Sequence, residues 1–147
     1  MTNKINFLVN AEGNGIKTEA KTGKHTIIMD EAAQMGGTDA GPNPLQSLLA
    51  ALTGCENVTA QMAAKQMGFD LQGISFRVKG ILDPRGFMGD PSVTTYFEKV
   101  SVKAEVKTTE TEERIKELQE VVESRCPVYN TLKAAGIELE DTWVKSK

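Results

Sequence analysis

The stretch that decides the fold is Gly41-Pro42-Asn43-Pro44-Leu45-Gln46-Ser47-Leu48-Leu49-Ala50-Ala51-Leu52-Thr53-Gly54-Cys55-Glu56-Asn57-Val58-Thr59. It reads as a helix with a marked start. Asn43 can accept a bond from the first free amides, and Pro44 suits the first helical position. Gln46 follows Asn43 at the spacing of a capping box. The helical pattern runs on to about Met67, where Gly68 ends it. Between Pro44 and Ala64 the only formally charged side chain is Glu56. A helix apolar on nearly all sides is normally buried. The pattern therefore predicts a central helix, covered by other elements or by a second chain. Cys55 falls on the stripe of Leu48, Leu52, Thr59 and Met62. Glu56 points about 100° away around the helix, and reads as a partner for a lysine or for another chain.

Upstream, Ile5 to Val9 is a short apolar strand candidate. The turn Glu12-Gly13-Asn14-Gly15 follows, with Asn-Gly as a hairpin signal. Ile16 to Lys21 makes the return strand. A turn at Thr22-Gly23-Lys24 leads to a third strand, His25 to Met29. Gln34 to Pro42 is a glycine-punctuated loop. Downstream, Ile74, Phe76 and Val78 alternate with Ser75, Arg77 and Lys79, the pattern of a strand with one buried face. Asp83-Pro84-Arg85-Gly86 and Gly89-Asp90-Pro91 bound a loop. Tyr96 to Lys107 is a long half-exposed strand. Thr111 caps a helix with Glu112 and Glu113 in its first turn. Ile115, Leu118, Val121 and Val122 form its buried stripe. Glu110 with Arg114 and Glu112 with Lys116 are spaced as ion pairs on its wet side. Pro127 ends that helix and opens another, Val128 to Ala135, closed by Gly136. Ile137 to Val144 is a last strand, with Ile137, Leu139 and Trp143 on one face. Three strands, a helix, two strands, one or two helices and a strand imply an α+β fold. Its sheet is mainly antiparallel, with helices on one side.

At 147 residues the chain reads as a single domain, large enough to bury a core. A net charge of -3 gives no reason to expect nucleic acid or an anionic membrane as partner. No N-terminal stretch has the plan of a signal peptide. The polar residues of the central helix argue against a membrane span. Two cysteines and no export signal point to a reducing, cytoplasmic setting. One histidine and two widely separated cysteines give no metal-binding pattern. No glycine-rich phosphate loop follows a strand, so no nucleotide cofactor is expected.

The two cysteines lie 71 positions apart, and their local settings differ. Cys126 stands at the start of the helix that Pro127 opens, where unpaired amides favour a thiolate. Cys55 lies inside a helix, where dipole assistance is weak. If it reacts, a neighbour from elsewhere must stabilise its thiolate. A thiol on an apolar stripe can equally be core packing, and spacing alone leaves both readings open for each sulfur. His25 reads as a strand surface residue.

The run Gly36-Gly37-Thr38-Asp39-Ala40-Gly41-Pro42-Asn43-Pro44-Leu45, continuing into Leu48-Leu49-Ala50-Ala51-Leu52-Thr53-Gly54-Cys55, together with Arg125-Cys126-Pro127-Val128-Tyr129-Asn130-Thr131-Leu132, resembles the OsmC/Ohr family of thiol peroxidases. The order of elements fits along nearly the whole chain. The resemblance implies an intertwined homodimer, with central helices packed between sheets and two sites at the interface. It implies that Cys55 attacks the O–O bond of an organic hydroperoxide and that Cys126 resolves the resulting sulfenic acid as a disulfide. A dithiol reductant, lipoyl-type in some members, would reopen the bridge. The family's peroxidases activate the attacking sulfur with an Arg from the first hairpin, oriented by a Glu at the start of the central helix. Here Asn14 and Gly15 stand at the first place, Leu45 or Gln46 at the second, and no Arg precedes Arg77. The resemblance thus implies a weaker or specialised hydroperoxide reductase, with a cation from Lys17, Arg77, Arg125 or the other subunit. The alternative is a non-catalytic dimeric module that binds an apolar or thiol-bearing small molecule.

Overall fold

The helix start is built as its residues predict. The Asn43 N–H donates to Gln46 Oε1 at 3.0 Å and the Gln46 N–H donates to Asn43 Oδ1 at 2.8 Å, a reciprocal capping box. The resulting helix α1 spans Pro44–Met67. Gly68, at φ 64°, takes the left-handed position that ends it. The structure is a computed structural model that describes residues 3–147. It resolves into two compact units, one up to Leu48 and one from Leu49 to Lys147.

In the first unit, β1 (Asn10–Asn14), β2 (Lys17–Thr22) and β3 (His25–Met29) form an antiparallel meander in the order β1-β2-β3. The first strand begins later than its apolar run suggests. Ile5 to Val9 joins no strand ladder of this chain, and Ile5, Phe7, Leu8 and Val9 are exposed. Glu12, Gly13 and Asn14, read as turn, are strand residues. The reason is the tightness of the loop. Asn14 pairs directly with Lys17, and Gly15 at φ 63° makes the reversal with Ile16 alone.

After β3 the chain folds around one carboxylate. Asp30 accepts from the Glu31 N–H at 2.8 Å, the Ala40 N–H at 3.1 Å, and the Thr38 N–H and Oγ1–H at 3.2 and 2.7 Å. These donors, Thr38 first, hold the Asp30 carboxyl down at about 2. Gly41 then passes so close to the Ile28 carbonyl that no side chain fits there.

In the second unit, β4 (Gly73–Ile81), β5 (Lys99–Lys107) and β6 (Glu138–Lys145) form a three-stranded sheet with β5 central. β4 and β5 are antiparallel, whereas β5 and β6 are parallel. The parallel pair follows from its connection, since α3 (Glu112–Arg125) and α4 (Pro127–Ala134) carry the chain back to the same end of the sheet. The Asp83-Pro84-Arg85-Gly86 segment, expected as loop, closes one helical turn, α2 (Pro84–Phe87), because Asp83 caps it and proline sits in its first turn. The core joins the inward face of β5 (Val100, Val102, Ala104, Val106) to Ile115, Leu118 and Val122 of α3 and to Leu52 and Ala60 of α1.

The burial of α1 differs from an all-round pattern. Its buried residues are Leu52, Glu56, Ala60, Ala63 and Ala64, while Val58 and Met62 are exposed. The small residues let the backbone approach the core beside Leu52, while Val58 and Met62 point elsewhere. On α3, Arg114 pairs with Glu110 at 3.2 Å and with Glu117 at 2.8 Å. Glu112 is not paired with Lys116; its Oε1 accepts from the Lys145 N–H at 3.4 Å. No helix among the described residues is long and apolar enough to cross a membrane.

Candidate functional site

Two sulfurs far apart in sequence meet in the second unit. Cys55 packs against the core cluster that contains Cys126 and is among the groups that push the Cys126 thiol up. Both cysteines are free thiols. α1 supplies Cys55, partly exposed and packed at the edge of the core. The α3–α4 junction supplies Cys126, which is 0% exposed. The junction is sharp because Cys126 serves both helices. Its backbone N–H donates to the Val122 carbonyl at 2.8 Å, closing α3. Its Sγ accepts from the Tyr129 N–H at 3.4 Å, opening α4. Asn130 ties the bend down, donating to the carbonyls of Glu123 and Cys126 at 2.9 and 2.8 Å.

The helix start alone predicts a thiolate at Cys126, and the structure reverses that. Burial pushes the thiol up to about 12, and Cys55 and Glu56 push in the same direction; only the Tyr129 amide opposes them. One neutral donor does not offset the loss of water around an anion. Cys126 therefore rests as a protonated thiol.

The second unit also buries a group of acids. Glu56 is 0% exposed. Neither of its oxygens nor either oxygen of Asp141 finds a donor elsewhere on the protein, although all four are shut off from solvent. Each carboxyl is among the groups that act on the other, and two buried carboxyls without donors favour the protonated form. Burial, then Asp141, then Glu123 push Glu56 up to about 8. Burial and Glu123 push Asp141 up to about 6, against the hydrogen bond from Glu56. The Tyr129 hydroxyl donates to Glu123 Oε1 at 3.3 Å, and burial keeps that phenol protonated.

Glu56 does not meet the lysine that its isolated charge suggested, since the groups acting on it are all acids. Asp141 was absent from the sequence reading. The signal was present, because Leu139, Asp141 and Trp143 alternate along β6 and an acid between two inward apolar residues shares their face. Two of the proposed cations, Arg77 and Arg125, are turned to solvent. Arg77 sits on the solvent face of β4 with Ser75 and Lys79, opposite Phe76 and Val78. Arg125 is exposed and donates to Gln66 Oε1 at 2.6 Å. Gln46 is held in the capping box. Among the described residues no group of side chains is arranged to hold a metal ion.

An α+β fold that brings a helix-borne thiol to a second thiol at a helix start defines a two-thiol protein. The family described as OsmC-like protein matches residues 37–140, and the chain belongs to that family. This bears out the resemblance read from the two cysteine segments. The chain is 33% identical over 95 residues to a protein of Mycoplasma genitalium named hydroperoxide reductase. That match covers 63% of this chain and 62% of the relative's own length. An OsmC-like protein from Mycoplasma pneumoniae superimposes with a TM-score of 0.82 at 24% identity, over 97% of this chain and 99% of that one. An organic hydroperoxide resistance protein from Elizabethkingia anophelis does so with a TM-score of 0.73 at 18% identity, over 100% of this chain and 99% of that one.

Proposed function

We propose that the protein is a cysteine-based hydroperoxide reductase in which Cys55 attacks and Cys126 resolves. The observation that carries this reading is the approach of two sulfurs with unequal access. Cys55 is partly exposed and is the one a peroxide can reach. Cys126 is sealed in the core and has Cys55 beside it. In the first step the Cys55 sulfur bonds to one peroxide oxygen, the O–O bond breaks, and the other oxygen leaves as an alcohol. The Cys126 sulfur then bonds to the Cys55 sulfur, the S–O bond breaks, and the oxygen leaves as water. A dithiol reductant, lipoyl-type in chemical class, returns both thiols by exchange. That reset requires a reducing compartment, and we assign the cytoplasm. The names of the relatives, hydroperoxide reductase and organic hydroperoxide resistance protein, support the peroxide as substrate class.

We further assign a second copy of the chain as partner. Ile5, Phe7 and Leu8 of the first unit and Val58 and Met62 of the second are exposed in the single chain, a supply of apolar surface that association would cover. Without the family's Arg and Glu, the attack on peroxide is expected to be slow.

One equivalent of an alkyl hydroperoxide tests the reading. Intact mass should show the loss of two hydrogens and of both titratable thiols. Cys55→Ser should abolish the change, and Cys126→Ser should leave a sulfenic acid that a dimedone-type probe traps. Thiols that stay reduced over hours reject the enzyme and favour a binding module of the same fold.

A further inference from the structure

The sheet of the second unit has two faces, and the sulfurs concern only one of them. Val100, Val102, Ala104 and Val106 of β5 join Cys126 in the core. The opposite face is open to solvent, and strand register lays its side chains out in rows. One row runs Arg77, Lys103, Thr142 across β4, β5 and β6; the next runs Lys79, Ser101, Glu140. Ser101 is partly exposed and the other five are exposed. These six side chains line a hollow of about 390 Å³.

The charges in this hollow do not cancel. Arg77 stands directly opposite Lys103, where like charges on paired strands repel. Among the described residues neither Arg77 nor Lys79 forms an ion pair. Lys103 Nζ comes only to 3.7 Å from Glu105, too far for a hydrogen bond. Glu140 is drawn to Lys99, at 2.8 Å, and so does not neutralise Arg77 or Lys79. The whole chain carries a net charge of -3, which makes this gathering of cations a local exception. Edge protection accounts for part of it, because β4 is an edge strand and edge cations discourage pairing with other chains. It does not account for Lys103, which lies on the central strand with a neighbour on each side.

We propose that this outer face of the sheet binds the phosphoryl group of a small soluble molecule. Arg77 offers a planar fork of donors, Lys79 and Lys103 offer point charges, and Ser101 and Thr142 offer hydroxyls. A phosphoryl group carries close to two negative charges and three strong acceptor oxygens, which suits donors that arrive from three strands. A carboxylate has one charge and two oxygens in a plane, and leaves part of that set unused. The face holds no aromatic side chain between Ser75, Arg77 and Lys79, since Phe76 belongs to the other side. A single-stranded nucleic acid would find nothing there on which to stack its bases. Glu105 and Glu140 border the cations and repel a longer polyanion. The ligand would bind whether or not the thiols reduce peroxide, because the core separates the two places.

Titration of the wild type with inorganic pyrophosphate at constant ionic strength tests this. Calorimetry should show saturable binding at one site per chain, with a Kd below about 1 mM. Amide chemical shifts should move at Lys79, Ser101, Lys103 and Thr142 and stay in place along α3. Arg77→Gln and Lys103→Gln should each weaken binding about tenfold or more, the loss of one charge-assisted hydrogen bond. Lys116→Gln removes the same charge from an exposed position on α3 and should leave the affinity unchanged. Absence of saturation, shifts centred elsewhere, wild-type affinity in both sheet variants, or an equal loss in Lys116→Gln overturns the proposal. Succinate that binds as tightly as pyrophosphate overturns the phosphoryl class. Cosedimentation with phosphatidylglycerol vesicles, without a response to pyrophosphate, overturns the soluble ligand.

Discussion

A carboxyl that stays protonated in the core ties the stability of the whole protein to pH, and Glu56 sets the sign. In the unfolded chain Glu56 titrates at its ordinary value of 4.5, and in the folded chain at about 8. Between those values the folded protein holds a proton that the unfolded one has released. A raised folded value means that stability is fully present below the unfolded value and is lost as pH rises through the folded one. Asp141 behaves likewise, but its window closes at about 6. The carboxyls with lowered values, Asp30 and Asp83 at about 2 and Asp70, Asp90, Glu110 and Glu140 below their ordinary range, have the opposite sign and act only in acid. Cys126 and Tyr129 are raised from values already above neutral, and change stability only in alkali. From about pH 6 to about pH 8, then, Glu56 stands apart. One extra proton is worth roughly 1.4 kcal/mol per pH unit, tapering as the group titrates, so the interval removes about 2 kcal/mol. Urea unfolding of the reduced protein at fixed concentration should show that fall. Glu56→Gln keeps a donor for Asp141 without a titrating proton, and its stability should be flat over the same interval. A wild type with no slope there, or a variant that keeps the wild-type slope, refutes the assignment of the proton to Glu56.

Other substitutions have narrower outcomes. Leu52→Ala, at a side chain with no exposure, should destabilise by about 3–5 kcal/mol in urea unfolding. Asn43→Ala removes the acceptor of the Gln46 N–H and should cost about 1 kcal/mol, whereas Asn43→Ser should recover most of it. Gly80→Ala would set a methyl 2.5 Å from the Phe97 ring, and should lower the thermal midpoint by the equivalent of about 1–3 kcal/mol. Asp30→Asn removes a carboxylate whose lowered value stabilises the fold above its ordinary range. Stability should then respond less to acid as pH falls toward 2, which acid-unfolding curves followed by circular dichroism will show.

Local signals in the sequence survived into the structure, and signals that depended on depth did not. Asn43, Pro44 and Gln46 announce α1 because a cap is made by neighbours in the chain. Thr111 and Pro127 mark α3 and α4 for the same reason. Ile5 to Val9 looked like a strand because it is apolar, yet a strand needs a partner, and β2 pairs with the residues that follow that run. The parallel placement of β6 was hidden because strand direction is set by how a connection packs. At the site, the meeting of two cysteines rested on family likeness, since spacing alone left both as packing residues. The charge state of Cys126 was misjudged because a helix start is visible in sequence and the loss of water around a sulfur is not. Glu56 was noticed as the lone charge of an apolar helix, but its partner lies far along the chain, on a face legible only once Asp141 is grouped with Leu139 and Trp143.

On the proposed reading, in which Cys55 attacks and Cys126 resolves, the unequal burial of the two sulfurs makes the two steps separate problems. An activating cation makes the first sulfur fast; it does nothing for the second. The second step is limited by a thiol that burial holds protonated, and that obstacle is independent of what stands at Asn14 or Gln46. A chain in which the first step is slow has no use for a resolver that waits as an exposed thiolate, open to every oxidant in solution. Sealing Cys126 in the core protects it until Cys55 is oxidised beside it, at the cost of stranding its proton. The buried carboxyls of Glu56 and Asp141 carry a separate cost of their own, since no donor on the protein reaches them. Asp141→Leu should therefore preserve or raise stability in urea, and a loss of more than about 2 kcal/mol would show that the carboxyl is held by a partner.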